Sequence, residues 1–257
     1  MAIVNTSLKG KVAIVTGGAR GLAEYEALAL AEAGAALSLI DIDLPGAQKM
    51  AQKLAAQTGV KAIALKCDIT VPAEVQAAVD ATVKQLGSVD ILVNNAGWAK
   101  RVRLVDTTLE DWNHMIDVNL KGAFLCTQAV ARQMIKQGHG GKIVNIDSIA
   151  GIFGEPDRGA YCASKGGLHQ ITKVSAVEFG EYGIHVNGVG VGLFNAGMSA
   201  QTATVQPEFH KHMIGRTVFK RPGKPEEMGG VTLFLASPAS DYITGQTIYI
   251  DGGITIH

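Results

Sequence analysis

Short runs rich in Val, Ile and Leu alternate along this chain with longer segments whose apolar residues recur at helical spacing. Buried apolar strands that alternate with helices predict a parallel sheet covered by helices on both faces. In such an α/β fold, ligands bind at the carboxyl ends of the strands, near the point where the strand order switches. The predicted strands are KVAIVT, ALSLID, KAIALK, VDILVNN, GKIVNI, IHVNGV and TIYI, and the predicted helices lie near 21–33, 45–57, 72–86, 108–137, 160–181 and 224–236.

No linker or shift in composition divides the 257 residues, so we expect one domain over 1–257. Residues 190–223 are the exception to the alternation, because their periodicity is weak. A long irregular stretch in a compact domain is typically a lid or binding loop. We therefore place a substrate lid at about 190–216.

Charge and cysteine content limit the class of partner. The 23 basic and 23 acidic residues cancel, and a pI near 7.1 indicates no basic surface for nucleic acid or an anionic membrane. No apolar run approaches the roughly 18 residues of a membrane span, and the N-terminal stretch lacks a secretion signal. The three cysteines (Cys67, Cys126 and Cys162) form no CxxC pair, which is typical of a reducing compartment. We expect a cytoplasmic protein with a small-molecule substrate.

The stretch TGGARGLA, residues 16–23, joins the first predicted strand to the first helix. Gly17 permits a tight turn, Gly21 lets the backbone approach a phosphate, and the following helix offers its positive N-terminal end. Glycine turns also end many strands that bind nothing, so this motif alone is weak evidence. Ala23 occupies the third small position, where one methyl group is tolerated.

Asp41, at the end of the second strand, is a candidate for ribose recognition. A carboxylate there accepts hydrogen bonds from both ribose hydroxyls and repels a 2′-phosphate, so it favours NAD over NADP. Arg20 is the opposing signal, because a guanidinium attracts a 2′-phosphate. A cap on the next helix is the other interpretation of an Asp here, and Asp43 also fits that position. Asp68, after the third strand, either contacts the adenine amino group or is an ordinary turn residue.

Tyr161 and Lys165, in the stretch YCASK, share one face of a predicted helix. An isolated tyrosine has a pKa of about 10 and is a poor base at pH 7. A neighbouring ammonium favours the phenolate and lowers that pKa. The pair is therefore a candidate for proton transfer, and the alternative is an exposed helical pair worth about 0.3 kcal/mol.

Four motifs occur in a fixed order along the chain: Thr16-Gly17-x3-Gly21, NNAG at 94–97, Ser148, and Tyr161-x3-Lys165. In this combination the chain resembles the short, single-domain branch of the short-chain dehydrogenase/reductase family, from GKVAIVTGG to ITGQTIYIDGG. The resemblance implies a Rossmann-type, doubly wound parallel sheet of seven strands with helices on both faces. It also implies hydride transfer between a nicotinamide and an alcohol or ketone. Relatives commonly form a homotetramer through elements that lie here near 108–137, 160–181 and 247–250.

The resemblance assigns roles to the matching residues. Tyr161 is the expected proton donor or acceptor, and Lys165 is expected to bind the nicotinamide ribose and to support the tyrosine. Ser148 is expected to hydrogen-bond the substrate oxygen, and Asn119, in DVNLKG, to hold a water in a proton relay. The candidate cofactor-binding residues are Gly17, Arg20, Gly21, Leu22, Asp41, Asp68, Ile69, Asn95, Ala96, Gly97, Tyr161, Lys165, Gly192 and Phe194.

The stretch NGVGVGLFNAGM departs from the family pattern. Val191 stands where relatives have a proline. Ala196, followed by Gly197, stands where they have a threonine that contacts the nicotinamide carboxamide. Our hypothesis is that this half of the cofactor site is looser and holds the nicotinamide mainly by backbone groups, with Asn195 as a candidate substitute for the missing hydroxyl.

The substrate pocket is expected near the catalytic residues. Its candidate lining is Ser148, Ala150, Phe153, Tyr161, Trp98 and Leu193, with Phe194 and Met198 as further apolar surface. Four cations either select an anionic substrate or form ordinary solvated surface: Lys100, Arg101, Arg103 and Arg158. Glu155 either binds a sugar hydroxyl or caps the turn before Pro156. His210 and His212 have the wrong spacing for a helical metal pair, so we expect no metal.

The leading interpretation is an NAD-dependent oxidoreductase acting on a secondary alcohol or ketone, with sugars and hydroxy acids as candidates. One alternative is a nucleotide-binding sensor or scaffold that has lost turnover. Another is an epimerase or dehydratase that keeps NAD permanently bound, for which this chain is short.

Overall fold

The structure, a computed structural model, describes residues 4–197, 204 and 207–257. Met198 lies outside the described residues, as do the other residues of 198–203 and residues 205 and 206 of the expected lid.

Within the described residues, seven strands form one parallel sheet in the order β3-β2-β1-β4-β5-β6-β7. This order confirms the doubly wound fold. The chain builds outward from β1 to β3, returns to the other side of β1 with β4, and continues to β7. The strands are β1 Val12–Thr16, β2 Ala36–Asp41, β3 Ala62–Lys66, β4 Ile91–Asn94, β5 Gly141–Ser148, β6 Ile184–Val191 and β7 Thr247–Ile250.

The helices follow the predicted positions closely, with two differences. The segment predicted as one helix over 108–137 is interrupted by a π-helical segment, Asp117–Gly122. The described part of the irregular 190–223 interval contains a helix that the weak periodicity did not indicate. The helices are α1 Ala23–Glu32, α2 Leu44–Thr58, α3 Pro72–Leu86, α4 Leu109–Ile116, α5 Ala123–Gln137, α6 Gly159–Phe179, α7 Pro207–Arg216 and α8 Pro225–Ala236.

Two apolar cores lie on opposite faces of the sheet. One packs α1, α2 and α8 against the sheet around Leu30, Leu37 and Leu54, and the other packs α3, α5 and α6 around Leu92, Met134 and Ile143. Because β1 and β4 are buried along their whole length, their sequences are almost continuously apolar rather than alternating. Polar residues therefore concentrate where these strands end.

Among the described residues, no helix has the length and apolar content needed to cross a membrane. The same residues contain no group of three His, Cys, Asp or Glu side chains arranged to hold a metal ion.

Candidate active site

A cleft of about 120 Å³ opens at the carboxyl ends of β5 and β6 and extends towards the loops that follow β1 and β4. This is the edge at which the strand order predicts a ligand. Ten of its lining residues belong to the stretch TGGARGLA, to the other family motifs or to the stretch NGVGVGLFNAGM: Leu22, Asn95, Gly97, Ser148, Tyr161, Lys165, Val191, Gly192, Leu193 and Ala196.

Tyr161 and Lys165 lie on one face of α6 and are both buried. The Lys165 Nζ donates a hydrogen bond to the Ile146 carbonyl oxygen at 2.6 Å and lies 5.9 Å from the centroid of the Tyr161 ring. An exposed helical pair would have neither the burial nor this anchoring bond. The geometry therefore favours the proton-transfer interpretation, in which a fixed ammonium stabilises the phenolate.

Ser148 ends β5, is buried, and lines the cleft together with Tyr161 and Lys165 of α6. Its Oγ accepts a hydrogen bond from the Ala150 backbone N–H at 3.1 Å. A hydroxyl that accepts one bond still has a hydrogen to donate. Ser148 is therefore oriented to donate to an oxygen placed in the cleft.

Asn119 lies in the π-helical segment and does not line the cleft. Its side-chain amide makes two hydrogen bonds with the backbone of Trp98. The Asn119 Oδ1 accepts from the Trp98 N–H at 2.7 Å, and the Asn119 Nδ2 donates to the Trp98 carbonyl oxygen at 2.8 Å. It also donates to the Ser164 hydroxyl at 3.1 Å. π-Helical turns are frequent at functional sites because they displace one side chain from helical register. In this structure the Asn119 side chain connects the loop after β4 to α6.

The NNAG stretch, residues 94–97, ties the loops after β1 and β4 and the strand β5 together at the cleft. Asn94 donates to Asn145 on β5 at 2.8 Å, and the Asn95 side chain donates to the Thr16 carbonyl at 3.0 Å. The Thr16 hydroxyl accepts from the backbone N–H of both Asn95 and Ala96. The loops after β1 and β4 are thus held side by side.

The glycine loop has the geometry of a phosphate cradle. Gly17 has φ +65°, and an added Cβ would come 2.9 Å from the Ala96 Cα. Gly21 has φ +79°, and an added Cβ there would meet only Gly197 Cα, at 3.7 Å. The first glycine is required by close packing and by backbone conformation, whereas the second opens onto free space beside the start of α1. The residues present therefore fit a dinucleotide.

Asp41 bridges the glycine loop and the start of α2. Its carboxylate accepts from the Ala19 N–H at 3.0 Å and from the Asp43 N–H at 2.9 Å. The helix cap is Asp43, whose side chain accepts from the Gly46 N–H. Arg20 is exposed on the same loop. Asp41 is therefore not the cap, and it stands beside the loop where a ribose is expected.

Asp68 makes the contacts of a turn residue. Its Oδ1 accepts from both the backbone N–H and the hydroxyl of Thr70, at 2.8 and 2.7 Å. The Thr70 side-chain and backbone hydrogen bonds lower the pKa of this carboxyl. The neighbouring Ile69 is buried beneath Gly122 of the π-helical segment. The structure thus supports the turn interpretation, and it leaves the other Asp68 oxygen for a ligand.

The stretch that departs from the family pattern is well connected where it is described. Val191 remains in β6, paired with Ser148 and Ile250, and the Gly192 N–H donates to the Ile250 carbonyl at 3.2 Å. The Phe194 side chain is buried against Gly223, so only its backbone is available to a cofactor. Asn195 is exposed and does not line the cleft, whereas Ala196 does.

The expected substrate residues separate into three groups. Leu193, Ser148 and Tyr161 line the cleft. Phe153 lines a neighbouring cavity of about 470 Å³ instead. Ala150 and Trp98 pack around Met115 behind Tyr161 and form a wall without facing the opening.

The four candidate cations also separate into two pairs. Lys100 pairs with Asp111, and the exposed Arg103 lies beside Asp106. These two cations belong to the solvated surface and do not select a substrate.

Arg101 and Arg158 line the catalytic cleft and are mostly buried. Glu155 lies between them, with its Oε2 2.6 Å from Arg158 and 3.7 Å from Arg101. The Arg158 guanidinium stacks 4.0 Å from the Tyr161 ring centroid, and Arg101 stacks 3.7 Å from that of Phe209. Burial and the neighbouring Arg158 charge lower the pKa of Arg101. The single negative charge of Glu155 thus lies beside two guanidinium charges, which leaves this part of the cleft lining with a net positive charge.

Comparison with known proteins identifies the family. Residues 17–255 match the family model described as Enoyl-(Acyl carrier protein) reductase. A 2-dehydro-3-deoxy-D-gluconate 5-dehydrogenase of Formosa agariphila is 35% identical over 99% of this chain and 96% of that protein. A gluconate 5-dehydrogenase of Burkholderia cenocepacia, solved with NADP and tartrate, superposes with a TM-score of 0.94 at 37% identity, covering 100% of both chains.

The chain belongs to the short-chain dehydrogenase/reductase family. Another relative, a 3-oxoacyl-(acyl-carrier-protein) reductase of Thermotoga maritima, is 38% identical over 97% of this chain and 99% of that protein. The protein is accordingly an NAD(P)-dependent oxidoreductase of the short-chain alcohol dehydrogenase and ketone reductase type. The predicted family, fold and reaction class are confirmed.

Three features of this short-chain dehydrogenase/reductase cleft were not predicted from its sequence. Phe209 and Met213 reach the cleft from α7, which lies inside the expected lid, although the sequence singled out neither residue nor a helix there. Asp147 also lines the cleft, and its signal was a charged residue inside the apolar strand GKIVNIDS. A charge in a strand that is buried on both faces requires a partner and is therefore a functional candidate.

Proposed function

We propose that the protein is an NAD-dependent dehydrogenase of sugar acids, which interconverts a secondary hydroxyl and a ketone. The observation that carries this proposal is the position of Arg101 and Arg158 in the same cleft as Ser148 and Tyr161. Arginine forks bind carboxylates bidentately, and Glu155 provides an acceptor for hydroxyl groups. Two of the relatives act, by name, on gluconate derivatives, which agrees with this donor set.

The cofactor, when bound, supplies or accepts the hydride; the chain's residues handle the proton and the substrate oxygen. In the oxidation direction, the Tyr161 phenolate accepts the hydroxyl proton. Lys165 and Arg158 both favour the phenolate, one from 5.9 Å and the other stacked at 4.0 Å from the ring centroid. Ser148 donates its free hydroxyl hydrogen to the same substrate oxygen and stabilises the charge that develops there. Asn119 positions Trp98 and α6 behind these groups.

The candidate cofactor-binding residues form a continuous path along the cleft. Gly17, Gly21 and Leu22 would hold the pyrophosphate at the start of α1, and Asp41 the adenosine ribose. Gly97 and Lys165 would face the nicotinamide half, with Gly192 across the cleft. We favour NAD over NADP because Asp41 places a carboxylate where a 2′-phosphate would lie. Arg20 and the NADP found in the gluconate 5-dehydrogenase structure make the ratio of kcat/KM values for NAD⁺ and NADP⁺ the necessary measurement.

The substrate class is tested by NADH absorbance with gluconate and 2-dehydro-3-deoxygluconate set against sorbitol and a short 3-hydroxyacyl thioester. Activity confined to the sugar acids would support the proposal. Preference for the neutral polyol would contradict the role of the arginines, and preference for the thioester would reassign the cavity of about 470 Å³ to an acyl chain. The sensor or scaffold alternative predicts nucleotide binding with no turnover of any of these compounds.

We further propose a single domain over 1–257 in which the 190–216 segment, including α7, acts as the substrate lid. The reducing environment of the cytoplasm suits its cysteines, since Cys67 and Cys126 are buried and unpaired. Burial raises the pKa of the Cys67 thiol to about 12, which keeps it unreactive.

Assembly into a homotetramer is the corresponding proposal for its partners. An apolar groove lies on the outer surface of α4, α5 and α6, lined by Ile116, Leu120, Phe124, Ile171 and Val174. Exposed apolar patches of this kind mark association surfaces. Light scattering after gel filtration tests the tetramer. Phe124→Asp should reduce the mass, whereas a substitution outside the groove, Val71→Asp, should not.

A further inference from the structure

Asp147 is a buried carboxylate that the reaction described above does not use. It precedes Ser148 on β5, and its Oδ1 accepts from the Ser148 backbone N–H at 2.8 Å. Its side chain is completely buried, yet it lines the same cleft as Lys165. A carboxylate in such a place is unfavourable unless neighbouring groups stabilise it, so the groups around Asp147 indicate its role.

His169 is the partner of Asp147. It follows Lys165 by one turn of α6, and its Nδ1 lies 3.2 Å from the Asp147 Oδ2. The same nitrogen lies 3.2 Å from the Thr247 hydroxyl on β7. The side chain of His169 is 16% exposed, so it exchanges protons with solvent more readily than Asp147. Lys165, Asp147 and His169 therefore form a row of titratable groups from the cleft towards the surface.

Two glycines of β6 allow β7 to close over this row. A Cβ at Gly188 would lie 2.6 Å from the Thr247 Oγ1, and one at Gly190 would overlap the Tyr249 ring. Any larger residue would displace these side chains from the row. The Tyr249 hydroxyl is buried and has no partner among the described residues. Burial is the main cause that raises its pKa to about 12, and the charges of Asp147 and Asp251 add to it. The Tyr249 hydroxyl is therefore neutral at physiological pH and adds no charge to the row.

The remaining charges that face the row are few. Burial raises the pKa of Asp147, and the charge of Lys165, the Ser148 N–H bond and His169 oppose that rise. Glu26 on α1 also interacts with Lys165, but burial raises its pKa to about 8, so it is mostly protonated near neutral pH. Tyr161 and Arg158 lie at the cleft end of the row, where the Tyr161 ring has Lys165 on one side and the Arg158 guanidinium stacked on it. Asp147 is thus the carboxylate of this row that offsets the Lys165 ammonium when it is ionised.

We propose that Asp147 and His169 form a titratable pair that sets the pH range in which Tyr161 accepts a proton. The Asp147 side chain has no exposed surface, and both residues act through Lys165 rather than on the reacting atoms, so they are positioning residues. When His169 is protonated, it compensates Asp147, and the Lys165 charge acts fully on Tyr161. When His169 is neutral, the Asp147 charge offsets Lys165 and makes the Tyr161 phenolate less favourable. This inference rests on the proton-transfer role proposed above for Tyr161.

The test is the pH profile of kcat/KM for alcohol oxidation in Asp147→Asn, His169→Gln and the double variant. Asp147→Asn keeps an acceptor for the Ser148 N–H but loses the charge, so the midpoint of the acidic limb should fall by about 0.5 to 1 pH unit. His169→Gln keeps a donor to Asp147 but cannot be protonated, so the midpoint should rise. The double variant should match Asp147→Asn, because His169 acts only through Asp147.

A purely structural role would lower the rate in each variant without moving the midpoints in opposite directions. Unmoved midpoints, or shifts of the same sign in both single variants, would overturn the proposal. Asp147→Ser is a second uncharged variant that should reproduce the fall if Asp147→Asn does not fold. Asp90→Asn removes another buried carboxylate, one bonded to Lys11 and Ser88, and should leave the midpoint unchanged.

Tyr161→Phe distinguishes a failure of the proposed proton-transfer reaction from a failure of the role proposed for Asp147 and His169. If this variant retains full activity, the proposed function itself is wrong. If it is inactive while the Asp147→Asn midpoint does not move, only the role of the pair is wrong.

Discussion

The floor and the rim of the cleft are built differently. The floor, made of Ser148, Tyr161 and Lys165, comes from the end of β5 and from α6, and each of its polar groups is buried. The rim, made of Arg101, Glu155, Arg158 and Ala196, comes from loops and from the residue just before α6, and its side chains are partly exposed. Regular elements hold the groups that perform the chemistry within narrow limits, whereas loops vary in shape and select the substrate.

The largest expected effect comes from breaking the floor. Tyr161→Phe removes the proton acceptor but keeps the ring that stacks under Arg158, so kcat should fall roughly 10²- to 10⁴-fold. NADH affinity, measured by fluorescence titration, should change little. Tyr182→Phe, in the exposed turn after α6, is the matched control and should retain the wild-type rate.

The second prediction concerns Glu26, a buried carboxyl group close to the Lys165 charge of the floor. Glu26 is fully buried on α1, one turn beyond Leu22, and its oxygens have no partner among the described residues. Burial raises its pKa from 4.5 to about 8. Below pH 4.5 the carboxyl is protonated in the folded and unfolded states alike. Between pH 4.5 and 8 only the unfolded state ionises, so the free energy of unfolding falls as pH rises.

Glu26→Gln removes this ionisation without changing the shape of the side chain. The variant should match the wild type near pH 4 and exceed it in free energy of unfolding at pH 9, by on the order of 4 kcal/mol. Urea denaturation at the two pH values, at equal protein concentration, measures the difference. Glu24→Gln, on the same helix but beside Lys53 at the surface, should show no such pH-dependent gain. A parallel pH dependence in wild type and Glu26→Gln would contradict the prediction.

The third prediction concerns the rim and removes the charge of Arg101. Arg101→Met keeps the apolar contact with Phe209 but removes the charge, so KM for a sugar acid should rise about 10- to 100-fold, with a smaller change in kcat. KM for a neutral polyol should stay the same, and Arg103→Met should behave as wild type with both. Equal effects on the acid and the polyol would mean that Arg101 only supports the rim.

The smallest expected effect is on NADH binding and concerns Ala196, a residue of the rim. Ala196→Thr restores the hydroxyl that relatives place near the carboxamide. One neutral hydrogen bond is worth about 1 kcal/mol, so NADH should bind roughly fivefold more tightly by the same titration. If both affinity and turnover are unchanged, the hypothesis that this half of the site is looser is wrong.

Most of the floor was predictable because its residues follow local rules. Apolar runs indicated all seven strands, and the four-residue spacing of Tyr161 and Lys165 on one helix predicted a shared face. The Gly17 and Gly21 conformations are likewise properties of one short loop, and both have the positive φ that the motif requires.

The rim was less predictable because its side chains meet across large separations in sequence. The sequence left Lys100, Arg101, Arg103 and Arg158 open as one group, and only packing separated the buried pair from the surface pair. The helix α7 and the π-helical segment also escaped prediction. Their conformations are stabilised by tertiary contacts, such as those of Asn119 with Trp98 and Ser164, rather than by periodicity.

The sequence by itself therefore determined the alternation of strands and helices, the edge of the sheet at which a ligand is expected, and the shared helical face of Tyr161 and Lys165. These features depend on the period of apolar residues and on glycine conformation, which act over a few residues. Only the tertiary structure decided that Arg101 and Arg158 share one carboxylate, that Asp147 meets His169 and that Glu26 is buried without a partner among the described residues. Burial and charge proximity are set by which elements pack together, and no short stretch of sequence contains that information.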